Sequence, residues 1–163
     1  MALFARLRNG RRKNKTVNGM LSPDLARKVI QKTAKGNRVE SYGYAKRAEK
    51  IWRRAYDAIP EPKNQFEQSV WLEIFLGDVF FSSNAYEEAL PYYRSAYSNV
   101  SGKGKSNSYL QMRLGACLLE TGRHDEAIDH LWHAYKMEDP QFFSGTDAKY
   151  LDYLKNNLNL SYT

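Results

Sequence analysis

Cysteine is nearly absent from this chain, and long apolar runs are absent altogether. The single Cys117 among 163 residues cannot form an intramolecular disulfide, which favours a reducing compartment. The start, residues 1–5, is too short for the core of a signal peptide, and no apolar run approaches the roughly 20 residues that span a bilayer. The Arg-rich, acid-free start also fits a mitochondrial presequence, but it lacks a sustained apolar face. We therefore expect a cytoplasmic protein without a membrane segment.

The common signatures of catalytic and metal sites are missing as well. GxSxG, HExxH and Cys-His motifs do not occur. The loop 99–106 ends in Gly-Lys-Ser like a phosphate-binding loop, but Asn99 replaces its first glycine and a predicted helix precedes it. His124, His130 and His133 lie near Cys117 without the spacing of a zinc site. We expect no catalysis, no cofactor and no bound metal.

Positive charge is concentrated in the first part of the chain. Residues 1–60 carry sixteen Lys and Arg against four acids (+12), whereas residues 61–163 carry nine against fourteen (−5), which together give the net +7. Residues 1–21 are predicted to be a flexible basic arm. The candidate basic patch, suited to phosphate or to an acidic protein surface, comprises Arg11, Arg12, Lys13, Lys46, Arg47, Lys50, Arg53 and Arg54.

A repeated helical pattern fills the second part of the chain. One set of residues recurs with an interval of 38: Gly77, Ala89, Tyr93 and Ala96 correspond to Gly115, Ala127, Leu131 and Ala134. The glycine has no Cβ and lets a second helix approach closely, the alanines are the small residues of that helix, and the bulky residue fills the groove. The pattern predicts two stacked helical hairpins, at 64–100 and 106–140.

Further helices are predicted on both sides of these hairpins. Residues 22–60 form a degenerate hairpin, whose first helix starts at Pro23 and ends near Lys35, and whose second helix runs from Glu40 to Ile59. Residues 146–158 form a C-terminal helix that caps the last apolar face. We therefore predict an all-α fold of about seven helices over residues 22–163, in which antiparallel hairpins stack as a short solenoid.

The pattern resembles the tetratricopeptide repeat, through the pairs Leu76-Gly77 and Leu114-Gly115 and the residues that follow them. The interval of 38 exceeds the family's period of about 34 residues because the turn at 101–106 is longer. The resemblance implies that the first helices line a groove for a protein partner. The partner-binding residues would be Trp71, Ile74, Asp78, Phe81, Tyr109, Met112 and Glu120. The alternative is that residues 141–163 or the N-terminal arm cover this face.

Short stretches outside the generic repeat (58–63, 77–81, 112–115 and 147–155) resemble small bacterial tetratricopeptide-like proteins found beside secreted polymorphic toxins. That resemblance implies an immunity protein that binds and neutralises a cognate toxin domain. A secretion chaperone or a scaffold is an alternative, although translocator chaperones are generally acidic throughout. A further alternative is a nucleic-acid-binding protein that uses the basic N-terminal half.

Overall fold

A computed structural model describes residues 15–17 and 19–158, and that part of the chain contains seven α-helices. They are Pro23–Ser41 (α1), Ala45–Tyr56 (α2), Ser69–Phe81 (α3), Tyr86–Tyr97 (α4), Ser108–Glu120 (α5), His124–Met137 (α6) and Ala148–Leu158 (α7). Two short antiparallel strands, Thr16–Val17 (β1) and Met20–Leu21 (β2), precede α1, with Thr16 opposite Leu21. Short 3₁₀ turns lie at Lys63–Gln65, Pro140–Phe142 and Gly145–Asp147. The first fourteen residues of the expected arm lie outside the described residues.

The helices pack in the order in which they occur along the chain. α1 packs on α2, α3 on α4 and α5 on α6, and these hairpins stack through α2 on α3 and α4 on α5, with α7 against α6. Each hairpin turns through a residue with a left-handed backbone: Gly43 (φ 82°), Asn84 (φ 58°) and Gly122 (φ 78°). Glycine and asparagine tolerate this conformation best, so the turn is short and the helices run antiparallel. The predicted all-α stack of helical hairpins is confirmed.

A glycine in the first helix of each hairpin lies against a bulky side chain of the second. An added Cβ would lie 2.2 Å from Trp52 at Gly36, 2.5 Å from Tyr93 at Gly77 and 2.8 Å from Leu131 at Gly115. Real Cβ atoms do not approach so closely, and thus each contact requires a glycine. Every pair is sixteen residues apart (52−36, 93−77 and 131−115).

The prediction that the first helix ends near Lys35 is wrong, and so is the prediction that the second begins at Glu40. Gly36 is the packing glycine of the hairpin rather than a helix terminator, and Trp52 Nε1 donates to Asn37 Oδ1 at 3.0 Å. α1 therefore continues to Ser41. The first hairpin shares the pattern of the other two: its left-handed residue, alanine, bulky residue and alanine stand 7, 12, 16 and 19 positions after the glycine, at Gly43, Ala48, Trp52 and Ala55.

We predict that Gly36→Ala destabilises the protein by about 1–3 kcal/mol, the usual cost of overpacking a well-packed core. The new Cβ would collide with the buried indole ring of Trp52. At an exposed helical site the same change adds up to about 1 kcal/mol of stability through helix propensity. Thermal unfolding of the variant and the wild type shows whether the substitution lowers or raises the stability. An unchanged or higher melting temperature would contradict the packing role of Gly36.

A buried carboxylate joins the first two hairpins. Glu73 on α3 accepts hydrogen bonds at Oε1 from Ser95 Oγ on α4 at 2.7 Å and from Tyr56 Oη on α2 at 3.3 Å, while Oε2 has no hydrogen-bond partner. Burial raises the pKa of Glu73 above its usual range, although the hydroxyl donors oppose the shift. The equivalent residue of the next hairpin, 38 positions later, is the uncharged Gln111.

We predict that Glu73→Gln stabilises the protein at neutral pH by about 1–3 kcal/mol, since it removes a buried charge and keeps an oxygen that accepts from Ser95 and Tyr56. The folded-state pKa of Glu73 lies above the unfolded value of about 4.3, so folding takes up a proton. Wild-type stability relative to the variant is therefore highest below pH of about 4.3 and falls as pH rises through the folded-state pKa.

Urea unfolding of both proteins between acidic and weakly alkaline pH measures this difference. The reverse change at the equivalent position, Gln111→Glu, serves as the matched control and should destabilise the protein at neutral pH. A stability difference that does not vary with pH would show that the carboxyl of Glu73 is ionised with an ordinary pKa.

Candidate binding cleft

Two adjoining cavities extend along the first helices of the hairpins. One, of about 510 Å³, lies among α1, α3 and α5, and the other, of about 500 Å³, lies between α1 and α3. They share Asn37 and Phe75, and we refer to them together as the α1–α3–α5 cleft. Its lining comprises Val29, Ile30, Thr33, Ala34, Asn37, Glu40, Ala45, Trp52, Glu67, Gln68, Trp71, Phe75, Asp78, Val79, Phe81, Ser82, Tyr109 and Arg113.

The end of the cleft between α1 and α3 exposes apolar side chains. Ile30 and Trp71 leave 58% and 50% of their surfaces exposed. The Trp71 ring stacks on Phe75 with 6.2 Å between centroids, and Phe75 stacks on the buried Trp52 at 5.0 Å. Ile30 and Trp71 both lie six residues before a packing glycine (36−30 and 77−71), so they occupy equivalent positions on neighbouring helices. This row of aromatic rings fixes the orientation of the exposed indole.

The other end of the cleft is closed by a polar network. Asp78 Oδ1 on α3 accepts hydrogen bonds from Tyr93 Oη at 2.6 Å and from Tyr109 Oη at 3.0 Å. Arg113 on α5 donates from Nε to Tyr109 Oη at 3.0 Å and from Nη1 to Asp147 Oδ1 at 2.9 Å. The network therefore connects α3, α4, α5 and the turn before α7.

Burial governs the electrostatics of this network. It raises the pKa of the Asp78 carboxyl above its usual range, against the opposing hydrogen bonds from the two tyrosines and the nearby Arg113. Burial, with the adjacent Asp78, also raises the pKa of Tyr109 to about 12. The Arg113 guanidinium lies 4.4 Å from the centroid of the Phe81 ring. Arg113 is thus ion-paired and largely buried, at 17% side-chain exposure, at this end of the cleft.

Four predicted partner-binding residues lie on the cleft: Trp71, Asp78, Phe81 and Tyr109. The expectation that Ile74 shares their exposed face is wrong. Ile74 is buried, in the apolar core that α3 and α4 share with Leu110 and Leu114 of α5. α3 is largely apolar because it packs on α2 on one side and on α4 on the other.

The C-terminal segment covers the corresponding face of α5. Met112 is only 2% exposed and belongs to a core that includes Phe143, Tyr150 and Leu154, so the expectation that the groove exposes Met112 is also wrong. Glu120 accepts a hydrogen bond from Tyr150 Oη at 3.1 Å and forms an ion pair with Lys149. The chain's own C-terminal residues therefore cover α5. Ile30 of α1 and Trp71 of α3 remain exposed within the described part of the chain.

None of the described residues of the predicted basic patch lines the cleft. Lys46, Arg47, Lys50 and Arg54 are exposed on α2. Arg53 already has partners within the protein: it forms an ion pair with Glu49 at 2.9 Å and donates a hydrogen bond to Tyr92 Oη at 3.2 Å. Arg11, Arg12 and Lys13 lie outside the described residues.

Sequence reasoning missed Ile30, Asn37, Phe75 and Arg113 as cleft residues. The repeat register could have identified two of them. Ile30 is equivalent to Trp71 and Tyr109, and Asn37 to Asp78, once Gly36 is recognised as the packing glycine of the first hairpin. Nothing local to Arg113 indicates its contact with Asp147, which is 34 residues away.

The three histidines have separate partners. The Nδ1 atom of His124 lies 3.2 Å from Tyr153 Oη, and that of His130 lies 2.7 Å from Gln111 Oε1. The Nδ1 atom of His133 lies 2.7 Å from the Asp129 carbonyl oxygen. Among residues 15–17 and 19–158, no three metal-ligating side chains form a group, and no helix has both the length and the apolar character needed to cross a bilayer.

Comparison with known proteins adds no relative: no model of a protein family matches the chain, and neither does any curated protein. The resemblance to tetratricopeptide repeats therefore remains a prediction from the residues themselves.

We predict that Tyr109→Phe lowers the free energy of unfolding by about 1–3 kcal/mol, because it removes one donor from the partly buried Asp78 and the acceptor of Arg113 Nε. Tyr86→Phe is the matched control. The Tyr86 hydroxyl donates to Asn84 at the surface, so its loss should change stability by less than about 0.5 kcal/mol. Urea unfolding measures both; equal effects of the two changes would show that the network does not stabilise the fold.

Proposed function

We propose that the chain is a non-enzymatic protein-protein interaction module and that a segment of a protein partner binds in the α1–α3–α5 cleft. The observation that carries this proposal is the exposed, oriented indole of Trp71 beside the exposed Ile30. Tryptophan in a concave site is a frequent anchor of protein interfaces, and a pre-oriented ring loses little conformational entropy on binding.

The charges along the cleft support a particular kind of partner segment. Glu40 lines the cleft and has no partner among the described residues, whereas the charge of Arg113 is balanced by Asp147. Asp78 adds a second, partly buried carboxylate. The cleft therefore suits a segment with an apolar side chain for Ile30 and Trp71 and a cationic side chain for the end near Glu40.

Within this class of protein, we propose a cytoplasmic bacterial immunity protein that binds and neutralises a cognate toxin domain. This finer assignment rests on residues 58–63, 77–81, 112–115 and 147–155, which resemble stretches of small bacterial tetratricopeptide-like proteins found beside secreted polymorphic toxins. A secretion chaperone or an adaptor that binds a protein partner is the alternative, and the +12 charge of residues 1–60 counts against a translocator chaperone.

We predict that peptides selected on the protein from a random phage-displayed library bind in the cleft. Trp71→Ala should weaken their binding by about thirtyfold or more, the equivalent of a typical hot-spot loss of about 2 kcal/mol. The melting temperature should change little, because half of the Trp71 surface is already exposed.

Met137→Ala, which truncates an exposed side chain on α6, is the control and should leave peptide affinity unchanged. Failure to enrich any peptide, or equal affinity of the wild type and Trp71→Ala, would contradict a binding function for the cleft.

The immunity function has its own test, in which the chain is co-expressed with the protein encoded by the adjacent gene. We expect that protein to stop bacterial growth, the wild-type chain to restore growth, and Trp71→Ala to restore it less well. An adjacent protein without toxicity would contradict the immunity proposal while leaving the peptide result intact.

A further inference from the structure

Two tyrosines at the tip of the first hairpin are unusually exposed. Tyr42 and Tyr44 flank Gly43 in the α1–α2 turn, and 71% and 61% of their surfaces are accessible, more than for the cleft residue Trp71. In the described part of the chain neither ring stacks on another aromatic ring, and neither hydroxyl forms a hydrogen bond. The interior of the protein therefore does not use these side chains.

Backbone hydrogen bonds nevertheless fix the turn that carries both tyrosines. Gly43 N donates to Glu40 O at 2.7 Å and Tyr44 N donates to Val39 O at 3.3 Å, so the turn is closed against the end of α1. The fold itself does not require aromatic residues here. The equivalent positions are Ser83 and Ala85 in the second hairpin and Thr121 and Arg123 in the third.

Several cations without an ionic partner lie close to the tyrosines in the sequence. Arg38, Lys46 and Arg47 lie within four residues of a tyrosine, and Lys35 and Lys50 lie one to two helical turns further along α1 and α2. All five are exposed, and none has an ionic partner among the described residues. Of the nearby carboxylates, Glu49 is paired with Arg53 and Glu40 lines the cleft.

We propose that the α1–α2 turn binds single-stranded nucleic acid, with bases stacked on Tyr42 and Tyr44 and phosphates bound by Arg38, Lys46 and Arg47. Exposed aromatic rings interleaved with cations are what such a ligand requires, because every base has a stacking face and every linkage carries a negative charge. An acidic protein segment would use the cations but not the rings, and a duplex keeps its bases stacked inside. The site borders the α1–α3–α5 cleft at Glu40 and Ala45, but none of its five residues lines the cleft.

Fluorescence anisotropy with labelled oligothymidine and oligouridine of about 12 nucleotides tests the proposal, since this length falls within the usual site size. The double variant Tyr42→Ala/Tyr44→Ala should bind at least about tenfold more weakly at low salt, whereas Tyr42→Phe/Tyr44→Phe, which keeps both rings, should bind like the wild type. Lys46→Ala/Arg47→Ala should weaken binding and reduce the slope of log affinity against log salt by about 1.4, or 0.7 for each lost phosphate contact.

Lys103→Ala/Lys105→Ala removes the same charge from the α4–α5 loop and is the matched control, with little expected change. The two oligonucleotides differ in the 2′-hydroxyl of the sugar and in the 5-methyl group of the base, and a preference for either one supports the site. The proposal is overturned if the Tyr→Ala pair binds like the wild type, if the control loses as much affinity as Lys46→Ala/Arg47→Ala, or if a duplex of equal length or polyglutamate binds as tightly. All variants should retain the wild-type melting temperature, because the altered side chains are exposed.

Discussion

Contact between a glycine and a bulky side chain sixteen residues later determines how the three helical hairpins in the described part of the chain are built. Without a Cβ, the backbone of the first helix can lie directly against Trp52, Tyr93 or Leu131 of the second. Alanines twelve and nineteen positions after each glycine are the small residues of that second helix and are fully buried. Three hairpins with one internal geometry stack in a regular way, and their first helices then present equivalent faces side by side.

Equivalent faces do not have equivalent roles in this chain. Ile30, Trp71 and Tyr109 occupy the same register, six residues before their glycines. The first two remain exposed in the cleft, whereas Tyr109 is bound into the network of Asp78 and Arg113. The C-terminal helix adds to this difference, because it covers the α5 face, whereas Ile30 of α1 and Trp71 of α3 stay exposed within the described part of the chain.

The local residue pattern was sufficient to predict the second and third helical hairpins, but it misplaced the helix ends of the first. Gly36 stands between Lys35 and Asn37, a polar setting typical of a helix end, and only its contact with Trp52 shows that it is a packing residue. The register of the repeat placed Trp71, Asp78, Phe81 and Tyr109 on the cleft. It could not reveal the burial of Met112, because the covering side chains Phe143 and Tyr150 are 31 and 38 residues further along the chain.

The central claim is that the protein offers an open apolar cleft on α1 and α3 and a covered face on α5. Hydroxyl-radical footprinting of the protein, alone and with a library-selected peptide, tests both parts in one experiment. We predict rapid oxidation of Trp71 and slow oxidation of Met112 in the free protein, with Trp71 protected when the peptide binds and Tyr42 unchanged. Oxidation of Met112 as fast as that of the exposed Met137, or no protection of Trp71 by the peptide, would contradict the account.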